Sequence, residues 1–180
     1  MEKSDLIQLF NKNHVFWTDG SCSGNPGSGG FGIVSIKVQE LMDGRLRKYL
    51  NYVYSEDSKY TTNNREELKA ILHVYKNFGG TKKDDETIII FSDSAYCVNL
   101  VNDWIWKWCE NDWRNSKGEV VENADIIKEL FECMTKFPNI EVKKVKGHKD
   151  ILENELADAL ATGNKTKFLT LCKKNNIEIF

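Results

Sequence analysis

Apolar and polar residues alternate along this chain in blocks that predict a mixed α/β domain. Val15, Phe16 and Trp17 form an apolar run that stops at Asp19, and a second run extends from Phe31 to Val38. Between them lie five glycines and one proline (Gly20, Gly24, Pro26, Gly27, Gly29, Gly30), the composition of a tight turn between two strands. Strands are expected over residues 14–19 and 30–40. After the turn Met42-Asp43-Gly44, a third is expected over 45–54, where Leu46, Tyr49, Tyr52 and Tyr54 alternate loosely. Three consecutive strands with short turns imply an antiparallel meander.

A polar loop is expected over 55–62, followed by a helix over 63–78. Asn63 or Asn64 can cap it, Glu66 and Glu67 fall in its first turn, and Leu68, Ile71, Leu72 and Tyr75 form its apolar stripe. Gly79-Gly80 ends it. The continuously apolar run Thr87-Ile88-Ile89-Ile90-Phe91 suits a central strand buried on both faces, and it halts at Ser92-Asp93-Ser94. Tyr96, Val98, Leu100 and Val101 then repeat at helical spacing, and 104–113 is helix-compatible with four tryptophans. A polar loop over 114–122 precedes a helix over 124–136, with Ile127, Leu130, Phe131 and Met134 on one face and Pro138 closing it. Residues 140–145 alternate as a last strand. A loop over 146–152, a helix near 153–161 and a C-terminal helix complete the order. The expected fold is α/β: a mixed five-stranded sheet, three antiparallel strands followed by parallel strands, flanked by helices. Residues 1–13 read as a short polar extension, in which Leu6, Ile7, Leu9 and Phe10 could form one helical turn. Residues 14–163 read as the domain, and 164–180 as a C-terminal helix or tail packed on it or trailing it.

Composition narrows the function. A chain of 180 residues suits one domain with a sizeable core. Its net charge of −2 supplies no global basic field, so a nucleic-acid role needs local positive patches or bound metal ions. The five cysteines (Cys22, Cys97, Cys109, Cys133, Cys172) show neither zinc-finger nor CxxC spacing. Free thiols in a reducing compartment are therefore expected. No stretch has the pattern of a signal peptide or a membrane span. The expected location is intracellular, cytoplasm or nucleus, with no membrane partner.

Four acids coincide with these elements. Asp19 ends the first strand, Glu67 lies in the first turn of the first long helix, Asp93 ends the buried apolar strand, and Asp158 lies in the helix after the last strand. Each has an ordinary reading: Asp19 as a turn residue, Glu67 as a first-turn acid, Asp93 as an N-cap, Asp158 as part of a solvated face. Jointly, strand ends and helix starts at one rim of an α/β sheet converge on a crevice. Carboxylates gathered there repel unless protonated or bridged by cations. Magnesium takes oxygen ligands and retains waters for substrate phosphate, and a pair of such ions about 4 Å apart clamps an in-line phosphodiester displacement.

The motifs around these acids carry a family resemblance. They are Thr18-Asp19-Gly20-Ser21 with Gly24-Asn25-Pro26-Gly27, then Thr62-Asn63-Asn64-Arg65-Glu66-Glu67-Leu68, Ser92-Asp93-Ser94 with Tyr96, Lys146-Gly147-His148, and Glu153-Asn154-Glu155 with Ala157-Asp158. In this order, over about residues 14–162, the chain resembles type 1 ribonuclease H. The resemblance implies that Asp19, Glu67, Asp93 and Asp158 hold two Mg2+ ions, with Mn2+ an alternative. It also implies cleavage of the RNA strand of an RNA–DNA hybrid to 5′-phosphate and 3′-hydroxyl products, by a monomer. His148 then reads as a mobile acid/base or product-release residue, since an unperturbed imidazole titrates near neutrality.

For substrate, the resemblance implies contacts from Cys22, Asn25, Thr62, Asn63, Asn64, Trp108, Ser116 and Asn123. Thr62 and Asn123 match positions that bind a phosphate of the DNA strand, and Trp108 matches the aromatic that packs on deoxyribose. The asparagines carry both donor and acceptor, which suits 2′-OH and base-edge contacts. Trp104 is expected in the core, and Trp106 is expected to point elsewhere. Three departures stand out. Tyr60, beside Lys59, occupies a place where relatives often have arginine. Asp150 replaces a common glycine. The tryptophan segment 104–119 balances Lys107, Arg114 and Lys117 against Glu110, Asp112 and Glu119, so modest affinity with a shallow salt dependence is expected. Two other readings remain: a DNA resolvase or integrase-like nuclease, and a non-catalytic hybrid-binding module. A polyprotein-derived domain is a further alternative, although Met1 and the C-terminal region favour a standalone enzyme.

Overall fold

The fold is described from a computed structural model covering residues 13–80, 86–145 and 151–179. The expected meander is present as β1 (Asn13–Cys22), β2 (Gly27–Glu40) and β3 (Leu46–Thr61). Helix α1 (Asn63–Phe78) leads to β4 (Thr87–Ser92). Helix α2 (Ala95–Asn99) continues through a π-helical turn (Leu100–Trp104) into α3 (Ile105–Glu110). Then come α4 (Ala124–Lys136), β5 (Ile140–Lys144), α5 (Leu152–Ala161), α6 (Lys165–Lys174) and β6 (Ile177–Glu178).

The sheet order is β5-β4-β1-β2-β3-β6. β2 is antiparallel to β1 and β3, whereas β4 runs parallel to β1 and β5 parallel to β4. Among the described residues the sheet thus has six strands, one more than expected. The sixth pairs Ile177 and Glu178 with Lys48 and Tyr49 of β3, and two residues are too few to display an alternation. β3 also runs on through the expected loop at 55–62. Its polar residues lie on a largely exposed strand, so no buried face marks them, yet Ser55–Asp57 pair with Gly30–Gly32 of β2. Several of the turn glycines are likewise strand residues: Gly20 pairs with Phe31, and Gly29 and Gly30 pair with Cys22 and Ser21.

Two further boundaries differ. Thr62, not Asn63 or Asn64, caps α1: its backbone is extended and its hydroxyl accepts from the Arg65 amide at 3.3 Å, while Asn63 and Asn64 already belong to the helix. The tryptophan helix stops at Glu110, and Trp113 adopts a left-handed backbone (φ 59°) in the turn that follows. The segment after it makes a bridge between Arg114 and Val120, reinforced by bonds from the Asn115 amide to the Glu119 carbonyl and from the Val121 amide to the Trp113 carbonyl.

Alternation along β1 and β2 feeds two cores on opposite faces. Phe16, Phe31 and Ile33 pack with Ile88 and Ile90 of β4 beneath α1 and α4, where Leu68, Ile71, Ile127 and Leu130 are buried. Val15, Trp17, Val34 and Ile36 pack beneath α5 and α6 with Leu156, Ala157, Phe168 and Cys172. The helical turn expected near residues 6–10 lies outside the described residues. All five cysteines are free thiols, and among the described residues no helix is long and apolar enough to cross a membrane.

Candidate active site

Two close approaches build the site. A Cβ on Gly20 would fall 2.4 Å from the Glu67 amide nitrogen and 2.8 Å from the Glu66 carbonyl carbon. Only glycine lets the first turn of α1 press onto β1 there, and that contact carries Glu67 to Asp19. A Cβ on Gly32 would fall 2.3 Å from the Ala157 carbonyl oxygen and 2.5 Å from Leu160 Cβ. This brings α5, and with it Asp158, onto β2 directly across the ladder from Asp19, since Asp19 pairs with Gly32.

Asp93 arrives by sheet register. Thr18 pairs in parallel with Ser92, so the residue after each, Asp19 and Asp93, emerges at the same rim of adjacent strands. One ligand oxygen from each of Asp19, Glu67 and Asp93 lies within 4.8 Å of the others. The ordinary readings of these acids give way. Asp19 sits within a strand and is buried, Glu67 is only 3% exposed, and Ser94 rather than Asp93 caps α2, accepting from the Cys97 amide at 3.2 Å. Asp158 is half-buried and pairs with the Lys167 ammonium at 2.5 Å. It stands outside the tight trio, yet its charge acts on Asp19.

Neighbouring groups orient the trio. The Gly20 amide donates to Asp19 Oδ1 at 3.0 Å, and Asn154 Nδ2 donates to Asp93 Oδ2 at 3.2 Å. The role of Asn154 was not anticipated from the sequence, although its place one helical turn before Asp158 was a readable signal. Burial above all, then the charges of Asp93 and Asp158, push the Asp19 carboxyl up to about 7. Burial, then Asp19 and Asp93, raise Glu67 well above the carboxylate range. Among the described residues, buried Glu67 Oε2 accepts no hydrogen bond. A cluster of hard oxygen donors that repel one another and include an orphaned oxygen fits a divalent cation such as magnesium or manganese.

The sign of the pH dependence follows. Between the ordinary carboxylate range near pH 4 and about pH 7, the folded metal-free protein holds protons that the unfolded chain has released. Its stability therefore falls as pH rises through that window. Asp125 and Glu178, held low by Arg65 and Arg47, act in the opposite sense as pH drops below about 4, and His73, which burial holds below the ordinary imidazole range, opposes the decline just below about pH 6.5. Melting in chelator from about pH 4.5 to about pH 8 should show Tm declining, with the decline flattened in Asp19→Asn. Identical slopes for the two proteins would remove Asp19 as the cause.

The RNase H family model matches residues 11–165. The chain belongs to the RNase H family. It is 38% identical over 151 residues to Ribonuclease H of Caldicellulosiruptor saccharolyticus, covering 83% of this chain and 94% of that protein. It is 41% identical over 155 residues to Ribonuclease H of Caldanaerobacter subterraneus subsp. tengcongensis, covering 84% and 92%. Among solved structures, the foamy viral protease-reverse transcriptase in complex with RNA/DNA hybrid shares the fold, with a TM-score of 0.69 and 21% identity over 87% of this chain and 20% of that longer one.

The other positions singled out by this RNase H family pattern fall into four places. Cys22 donates through Sγ to the Thr61 carbonyl at 3.2 Å and lines a groove of about 690 Å³ with Ser21, Ser23, Ser28 and Gly29. Asn25 Oδ1 accepts from the Asn63 amide at 2.9 Å, which ties the glycine-rich turn to the start of α1, where Asn64 follows. Thr62 and Asn123 are linked by Arg65, whose amide donates to Thr62 and whose Nη1 donates to Asn123 Oδ1 at 3.3 Å. Arg65 also forms a bidentate pair with Asp125. Tyr60, two residues before Thr62 in sequence, is 77% exposed. Trp108 and Ser116 meet in a second groove, of about 440 Å³, with Lys107, Asn111 and Arg114. Trp104 packs against the core as expected and also lines this groove. Trp106 turns away, edge-on to Phe131. His148 and Asp150 lie outside the described residues.

Proposed function

We propose that this RNase H family member is an endoribonuclease that hydrolyses the RNA strand of RNA–DNA hybrids with two magnesium ions, leaving 5′-phosphate and 3′-hydroxyl ends. The observation that carries the reading is the meeting of Asp19, Glu67 and Asp93, with Glu67 Oε2 buried and accepting no hydrogen bond among the described residues, on a chain whose curated relatives are named Ribonuclease H. Asp19, Glu67, Asp93 and Asp158 would hold the cations. When bound, these supply Lewis-acid stabilisation of the phosphoryl oxygens and a water of lowered pKa.

The chain's own residues do the rest. The Gly20 amide and Asn154 hold Asp19 and Asp93 in orientation, so the carboxylates need little reorganisation as charge develops. Asn25, Asn63 and Asn64, gathered where the glycine-rich turn meets α1, read the 2′-OH and base edges of the minor groove, with Cys22 beside them. Thr62 and Asn123 take a phosphate of the DNA strand. Arg65 stands between them, its guanidinium paired with Asp125, and holds both in place. Trp108, with Ser116, offers a flat apolar face to deoxyribose. His148 moves protons at the leaving group or assists product release. Residues 14–163 form the catalytic domain in this reading, with 164–180 as its C-terminal appendage.

The test compares cleavage of an RNA–DNA hybrid, duplex DNA and single-stranded RNA, with magnesium and with chelator. Hybrid-selective, magnesium-dependent cleavage is expected. Preferential cutting of duplex DNA would favour the resolvase-like reading, and hybrid binding without cleavage would make the protein a binding module. In the same assay Trp108→Ala should raise KM more than it lowers kcat, because that contact is made alike in ground and transition states. His148→Ala should cut turnover by roughly one to two powers of ten with magnesium binding intact. Loss of magnesium affinity in His148→Ala would contradict its role.

A further inference from the structure

The proposed site has an unexpected basic neighbour. Among the described residues, Lys167 is the one basic side chain paired with any of the four carboxylates: its Nζ lies 2.5 Å from Asp158 Oδ2. The pairing is built into the backbone. After α5 the chain reverses through Gly163, in a left-handed conformation (φ 65°). Asn164 then caps α6 by accepting from the Lys167 amide at 2.9 Å. The next residue, Phe168, is buried in the core that α5 and α6 share. These contacts fix the Lys167 backbone beside Asp158, while its long side chain stays 39% exposed and free to swing into water. Asp19 and Glu155 lie within electrostatic reach of the same ammonium.

From this geometry we propose that Lys167 is a resident counter-cation at the Asp158 end of the carboxylate cluster, and that the divalent ion using Asp158 must displace it. The inference rests on the two-cation reading above. An ammonium at hydrogen-bond distance occupies a lone pair of Asp158 and neutralises part of the charge that would attract a metal ion. A half-exposed pair of this kind is weak enough to be broken by a divalent cation yet strong enough to raise the concentration required. Lys167 thereby sets how much magnesium the enzyme needs, and it relieves repulsion among the acids when no metal is bound.

The test uses the full chain and magnesium alone, in three proteins: wild type, Lys167→Met and Lys167→Arg. Magnesium binding is followed by calorimetry, and hybrid cleavage is followed as a function of magnesium. Lys167→Met should need about three- to tenfold less magnesium for half-saturation in both measurements, as expected for loss of one exposed ion pair. Lys167→Arg, which keeps the charge, should need at least as much magnesium as the wild type. In chelator, Lys167→Met should melt below the wild type, and saturating magnesium should shrink that deficit. A purely structural lysine would give an equal deficit with and without magnesium and an unchanged magnesium titration, and that result overturns the proposal. Lys167→Gln repeats the comparison should the methionine variant fold poorly. If the wild type neither binds magnesium nor cuts hybrid, the two-cation reading itself fails and takes Lys167 with it. If the wild type cuts hybrid normally and Lys167→Met titrates like it, only the Lys167 inference falls.

Discussion

Asp93→Asn should lower kcat at saturating magnesium by at least about a thousandfold, equivalent to about 4 kcal/mol of transition-state stabilisation. Asparagine keeps the shape of the side chain, and its oxygen can still accept from Asn154 Nδ2, which now donates to Asp93 Oδ2 at 3.2 Å. What the variant loses is one negative charge in a group whose ligand atoms lie within 4.8 Å of one another. The same substitution at Asp19 should behave alike. Neither should lose stability in chelator at neutral pH, because each relieves the repulsion that raises the Asp19 and Glu67 carboxyls. Melting curves and single-turnover cleavage of a hybrid separate the two effects. An Asp93→Asn protein that retained even a tenth of wild-type turnover with magnesium would sink the assigned role.

Gly20→Ala should damage both stability and catalysis. The added Cβ meets backbone, the Glu67 amide at 2.4 Å and the Glu66 carbonyl carbon at 2.8 Å, and neither can swing aside as a side-chain tip would. The start of α1 must retreat from β1, and Glu67 retreats with it. Overpacking of this kind costs about 1–3 kcal/mol of stability. A displacement of about 1 Å in a catalytic array costs about a hundredfold in rate. Both losses are expected together with weaker magnesium binding, measured well below the variant's own Tm. A Gly20→Ala protein that bound magnesium and cut hybrid like the wild type would show that the close approach of α1 does not position Glu67.

How far each of these features could be read from the chain depended on the range of the interaction behind it. β1 and β4 are legible as short apolar runs around Phe16, Ile88 and Ile90, and α1 because Leu68 and Ile71 repeat with the helical period. The far end of β3 was not, since Ser55–Thr61 take their order from pairing with β2 and not from a buried face of their own. β6 escaped for the same reason, with Ile177 and Glu178 held by Lys48 and Tyr49 from the other end of the chain. The cap of α1 falls one or two residues before the expected Asn63 or Asn64, because asparagine and threonine cap comparably and only the extended backbone at Thr62 decides between them.

The site divides along the same line. Local motif alone identified Asp19, Glu67, Asp93 and Asp158 as the acids of interest, and it placed a glycine beside Asp19 where something had to come close. Tertiary structure decided what comes close, namely the backbone of Glu66 and Glu67, and that the parallel register of Thr18 with Ser92 brings Asp93 level with Asp19. It also decided that Asn25 holds the start of α1, that Arg65 bridges Thr62 and Asn123, and that Lys167 reaches back to Asp158. Residue type and short spacing carry the chemistry a position can offer, because those depend on the side chain and its immediate neighbours. Which groups then share a charge, a hydrogen bond or a metal depends on packing between elements distant in sequence, and no local period records that.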